Sequence, residues 1–408
     1  MTDTATRPAP APTAADAPAP PGAALALALA TLALAVNFWA WNLLGPLAPS
    51  YRELLSLTPF QVSLLVAVPA LIGSLARIPI GALTDRLGGR VMFTAVTALT
   101  VLPVLFLSVA DAYPALLVGG LFLGLGGASF AVGIPFVNAW TPPERRGLAL
   151  GIYGAGNVGT AVSGFLSPSI AQSLGRPAAF WVVAVALAAT AAVFFLFGRD
   201  APGRVPSTGS MTSRFVEAVK LPIARDLAFL YAVTFGGFVA FGAYLPTFLV
   251  DAYGLEVADA ALRAAGFIVL ATVTRPVGGA LADRFGGVPV LLVSLVAIGL
   301  GAVVTAFEPG IVTATVGFLT IAAALGAGNG AVFALVGRRS PPSQVGSVTG
   351  LVGAAGGLGG FLPPIVMGLV VQATGSYAIG LMLLSDVAFA GAIYAAWRLR
   401  EARSPGAS

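Results

Sequence analysis

Two arginines, Arg77 and Arg275, sit inside long apolar stretches of this 408-residue chain, 198 positions apart. A guanidinium keeps its proton where a lysine can shed one, so placing it in an apolar medium is costly unless something anionic meets it. Of the 16 acidic residues only Asp386 falls inside such a stretch. Asp85 and Asp283 come about two turns after the arginines, where each stretch ends. A structural ion pair is therefore the weaker explanation. Snorkelling is weaker too: Arg77 precedes Arg86 by nine residues, about 13 Å of helix at 1.5 Å per residue, more than an arginine stem can cover. What remains is a positive pocket for one small anion. The chain has no cysteine and no histidine, which excludes thiol nucleophiles, Cys/His metal sites, a Ser-His-Asp triad and a histidine proton relay. No cofactor is expected.

The elements that hold these arginines are membrane helices. Hydrophobic residues make up 58% of the chain and charged ones 9%, against about a quarter charged in soluble domains. At about 20 apolar residues per crossing, there is room for roughly a dozen helices and no large soluble domain. Apolar segments are expected near 23–46, 60–83, 91–110, 114–138, 147–170, 177–198, 226–250, 262–282, 288–307, 311–336, 346–371 and 376–397. Residues 1–22, rich in Ala and Pro, read as a disordered tail and not as a signal peptide. The domains are then a six-helix bundle over 23–198, a linker over 199–225, a second six-helix bundle over 226–398 and a short tail over 399–408. Basic residues are retained on the cytoplasmic side of short loops. With both termini inside, sixteen of the 21 bases fall there and only Arg52, Arg176 and Arg263 fall on the opposite face. The net charge of +5 thus reports topology and not nucleic-acid binding.

The halves repeat each other. Gly81-Ala82-Leu83-Thr84-Asp85-Arg86-Leu87-Gly88-Gly89 recurs as Gly279-Ala280-Leu281-Ala282-Asp283-Arg284-Phe285-Gly286-Gly287, seven identities in nine at the same offset of 198 that relates the arginines. Pro142-Pro143 with Gly147 and Gly151 recurs as Pro341-Pro342 with Gly346 and Gly350. Parallel six-helix repeats are the organisation of major facilitator transporters, and the Gly-x-Leu-x-Asp-Arg-x-Gly-Gly loops resemble that superfamily's cytoplasmic motif. The fold class expected is all-α membrane protein with twelve transmembrane helices. Asp85 with Arg86, and Asp283 with Arg284, are expected to gate and not to bind, the acids pairing with neighbouring bases or capping helix ends in one conformation only. The Gly-rich runs Gly151–Gly159 and Gly350–Gly360, with Asn157 as a neutral amide, suggest helices that close tightly over a pocket too small for a sugar or drug.

These two runs, Gly154 to Pro168 and Gly353 to Pro363, resemble the paired signatures of the nitrate/nitrite porter family, and Ala76-Arg77-Ile78-Pro79 with Thr274-Arg275-Pro276 is similar to its arginine contexts. The resemblance implies alternating access, nitrate and nitrite as substrates, and Arg77 and Arg275 as the clamp. It also implies substrate contacts from Asn157, Tyr231, Phe130 and Phe333, beside Gly154 and Gly353. The second signature lacks an asparagine. The expected protein is a monomer in the cell inner membrane that exchanges nitrate for nitrite. Alternatives are nitrate-proton symport, or a carrier of cyanate or a monocarboxylate. A carrier of larger solutes would line its pathway with more polar residues, and a membrane enzyme or receptor has neither His nor Cys to work with.

Overall fold

The computed structural model describes residues 21–142, 146–202, 211–340 and 345–399. Most of the expected amino-terminal tail, the tail beyond 399, Arg145 and the Pro341-Pro342 repeat lie outside them. Among the described residues all regular structure is helical. The first crossing is α1 (Ala23–Trp41) with α2 (Leu44–Leu55), and the second is α3 (Pro59–Leu75) with α4 (Arg77–Leu87). α5 (Gly89–Ser108) and α6 (Tyr113–Trp140) follow; the fifth crossing joins α7 (Arg146–Gly154) to α8 (Val158–Leu174), and α9 (Arg176–Phe197) is the sixth. The linker carries a short helix that composition did not announce, α10 (Met211–Lys220). The second half comprises α11 (Pro222–Tyr253), α12 (Val257–Phe285), α13 (Gly287–Ala306), α14 (Ile311–Arg339), α15 (Val345–Gly359) with α16 (Leu362–Thr374), and α17 (Ala378–Arg398). Eleven helical stretches among the described residues are long and apolar enough to cross a membrane. The fifth crossing is the twelfth; its longest unbroken piece, α8, has 17 residues.

Four crossings are broken, and in three the cause is local chemistry. In the second, Pro79 has no N–H for the carbonyl four residues back, and the helix interrupts at Ala76. In the fifth, the Asn157 amide donates to the Gly154 carbonyl at 2.6 Å. The Val158 N–H turns to Ala155 instead, so Ala155–Asn157 tightens into a 3-10 turn. In the eleventh, Pro363 and Pro364 supply no N–H, and Gly360 and Phe361 donate three residues back, to Gly357 at 3.1 Å and Leu358 at 3.0 Å.

The two halves pack alike. α6 receives α3 and α5 as α14 receives α12 and α13, while α5 against α9 matches α13 against α17. The repeated loop shows why it carries two glycines. Gly88 and Gly286 adopt φ of 94° and 92°, where a Cβ is strained. Gly89 and Gly287 press against Phe136 and Leu335, leaving no room for a side chain.

Between the halves, α2 meets α11, α3 meets α16 and α8 meets α12. A methyl on Gly45 would lie 2.9 Å from the Ala243 carbonyl oxygen, one on Gly368 2.9 Å from that of Pro59, and one on Gly164 2.9 Å from Ala265 Cβ. All three seams lie toward the face opposite the linker. Small residues let membrane helices approach to backbone contact, and here they press the halves together at one end of the molecule.

Candidate anion site

Arg77 opens α4 and is 4% exposed. Its Nη1 donates to the Gly353 carbonyl of α15 at 2.6 Å and its Nε to the Gly127 carbonyl of α6 at 3.3 Å, so the first-half arginine already grips backbone in the second half. Its Nη2 is buried without a partner. The Arg77 Cζ lies 5.2 Å from the Phe130 ring centroid, 5.8 Å from Phe235 and 5.9 Å from Trp41.

Arg275, half-buried on α12, donates from Nη2 to the Tyr231 hydroxyl at 2.6 Å. Its Cζ stands 5.5 Å from Phe333, 5.6 Å from Phe235 and 5.9 Å from Tyr231. Tyr231 and Phe235, four apart on α11, stack with centroids 5.0 Å apart and rings 6° from parallel, and Phe333 meets Tyr231 edge-on. Each arginine therefore has an aromatic from its own half, and Phe235 touches both. Neither has a carboxylate partner among the described residues. Unused N–H donors framed by aromatic faces suit a planar, delocalised oxyanion.

Arg77, Arg275, Tyr231, Phe130, Phe333 and Gly353 thus come together. Asn157 is buried, but its amide serves its own helix and its Oδ1 has no partner. The glycines divide. A Cβ on Gly154 would meet nothing within 4 Å, contrary to the expected tight approach there, whereas one on Gly156 would lie 2.9 Å from Leu34 Cβ. In α15 a Cβ on Gly356 would press into Tyr231 and lie 3.0 Å from Phe235, one on Gly357 would press into Ser74 and lie 3.2 Å from Arg77 Nη1, and one on Gly359 would meet the Ala232 carbonyl. At the linker face Asp283 pairs with Arg338 of α14 at 3.1 Å, not with Arg284, which lies over Phe285. Asp85 is partly buried and Arg86 exposed.

Sequence reasoning missed Phe235, although its i,i+4 spacing from Tyr231 put it on the same helix face. It also missed Trp41, which no spacing rule links to Arg77. Asp386 lies on an exposed face of α17. A second acid is more enclosed: Asp226, a turn into α11, is 6% exposed and accepts from the Tyr394 hydroxyl at 2.6 Å.

The model of the Major Facilitator Superfamily matches residues 30–363 and 227–408. The chain belongs to that superfamily. It is 48% identical to the probable nitrate/nitrite transporter NarK2 of Mycobacterium tuberculosis over 91% of its own length and 96% of the relative's. It is 41% identical to the nitrite extrusion protein of Bacillus subtilis, covering 90% and 92%. With the probable nitrate transporter NarT of Staphylococcus haemolyticus it shares 38% over 86% and 90%. Within the superfamily the chain falls in the branch of these nitrate/nitrite porters. A solved bacterial homologue of the human lysosomal transporter Spinster, in an inward-facing and unoccupied conformation, superposes with a TM-score of 0.72 at 20% identity, covering 93% of this chain and 97% of that one. This last likeness speaks for the fold alone.

Proposed function

We propose that the protein is an alternating-access carrier of nitrate and nitrite that exchanges one for the other through the Arg77–Arg275 site. The observation that carries this reading is a pair of repeat-related arginines sharing one aromatic ring, Phe235, with no carboxylate among the described residues to neutralise either. The names of the similar transporters supply the substrate. An anion cancels part of the positive charge as the cavity closes; an empty site leaves two desolvated guanidiniums facing each other. Closure is thus fast when loaded and slow when empty, which is the condition for obligatory exchange. One chain suffices, since each half donates one arginine. The excess of basic residues on the linker side supports an orientation with both termini in the cytoplasm and the protein in the inner membrane.

The test is counterflow of labelled nitrate into proteoliposomes. Uptake is expected with internal nitrite and absent without an internal anion. Accumulation into anion-free liposomes under an inward proton gradient alone refutes exchange and establishes nitrate-proton symport, and loss of that uptake in Asp386→Asn assigns the proton to α17.

A further inference from the structure

Among the described residues three arginine–aspartate pairs occupy the face opposite the linker, and they are not alike. Arg176 and Asp111 pair within the first half at 2.6 Å, and Arg263 and Asp259 pair along one helix at 3.1 Å. Arg52, on α2, pairs with Asp251, on α11, and so spans the two halves. Separation of the halves breaks only this last pair.

The place of that pair is set by the repeat. α2 and α11 end at left-handed residues, Ser56 and Gly254, which are 198 apart like the two site arginines. Arg52 and Asp251 lie in the final turns of these equivalent helices. Near-equivalent residues that touch must sit close to the axis relating the halves, and that axis is the route of the substrate. The two partners also fare differently when they part. Asp251 keeps a donor from its own half, the Tyr377 hydroxyl at 2.6 Å. Among the described residues Arg52 has Asp251 alone. Opening therefore leaves a satisfied carboxylate on one wall and an unpaired guanidinium on the other.

Further in, the hydroxyls of Ser63, Tyr244 and Thr247 are buried, at 0%, 6% and 2% exposure, without a hydrogen-bond partner of good geometry. Ser63 faces Gly368 across the α3–α16 seam, and Tyr244 lies beside Tyr377 and Ser63. Hydroxyls bonded this poorly weaken a closed seam that apolar side chains would fill better. They become useful when the seam opens, because each O–H can donate to an oxyanion.

We infer that the mouth on this face is a second anion site, in which Arg52, released from Asp251, and the hydroxyls of Ser63, Tyr244 and Thr247 recruit a small monovalent oxyanion before it reaches Arg77. The inference rests on the transport reading above. Ser63 and Arg77 are 14 residues apart on the second crossing, about 20 Å of helix, so the two sites are separate.

Sided KM measurements for nitrate in vesicles of one verified orientation test this. Arg52→Gln is expected to raise the KM for nitrate presented at the Arg52 face about tenfold, by loss of electrostatic focusing, and to leave the KM at the linker face unchanged. Asp251→Asn, which breaks the same pair but keeps the guanidinium, is expected to leave or lower the KM at the Arg52 face. High salt should bring the wild-type value toward that of Arg52→Gln. Ser63→Ala combined with Thr247→Val should raise the same KM with its salt dependence intact. Equal shifts in Arg52→Gln and Asp251→Asn would mean a clasp and nothing more, and no shift in Arg52→Gln would equally overturn the site. Wild-type vesicles that move no nitrate from either face overturn the transport reading and this site with it.

Discussion

Replacing Arg77 by lysine keeps the charge and removes the geometry. Arg77 uses two different nitrogens to hold two carbonyls on separate helices, Gly353 on α15 at 2.6 Å and Gly127 on α6 at 3.3 Å, and retains Nη2 for a ligand. A single ammonium cannot occupy both positions and still face an anion. The long Nε contact contributes little, but the short charge-assisted bond to Gly353 is worth about 1.5–3 kcal/mol. Adding the lost Nη2 donor toward the oxyanion gives about 3 kcal/mol, or roughly a hundredfold. Nitrate counterflow by Arg77→Lys should therefore fall about a hundredfold in kcat/KM at equal amounts of reconstituted, monodisperse protein. A variant that keeps a third of wild-type transport while binding nitrate normally would refute the argument that planarity, and not charge, is what the site requires.

Tyr231→Phe removes the hydroxyl that holds Arg275 but spares the stack on Phe235; a loss of about 1–2 kcal/mol should raise the nitrate KM about tenfold with turnover little changed, as read by sided uptake. Gly357→Ala drives a methyl into Ser74 and to 3.2 Å from Arg77 Nη1 and should cut transport more than tenfold, whereas Gly154→Ala meets open space and should retain it; comparable expression of both, checked by size-exclusion profiles, separates transport from folding. Asp283→Asn breaks an exposed pair with Arg338, so Tm should not move measurably, while turnover slows and anion affinity holds; an affinity loss at constant turnover would place Asp283 in binding.

The parts of this molecule that were readable in the chain are those where the membrane makes a residue type expensive. Arg77 and Arg275 stood out because a guanidinium among apolar residues needs a reason, and the repeated loop because Gly88 and Gly286 answer to a backbone constraint local in sequence. Contacts that depend on how the halves face each other were not readable. Arg52 counted only as a loop charge, and nothing near it in the chain points to Asp251. The grip of Arg77 on Gly353 joins a side chain to a backbone atom that every residue possesses, so it leaves no trace in composition. Gly154 and Gly156 look alike in a Gly-rich run; which of them meets a neighbour depends on the 3-10 turn that the Asn157 side chain imposes.

The two arginines differ in what a single base change can take away from them. Arg275 leans on Tyr231, and many codons adjacent to tyrosine would delete that hydroxyl. Arg77 leans on the peptide oxygen of Gly353, which persists whatever residue is written there. The first-half arginine is thus held by a partner that mutation cannot remove, only crowd. Across descendants of this sequence, drift in anion preference should accumulate around α11, α12 and α14, while the α4–α15 contact stays as the fixed point against which such variants are selected.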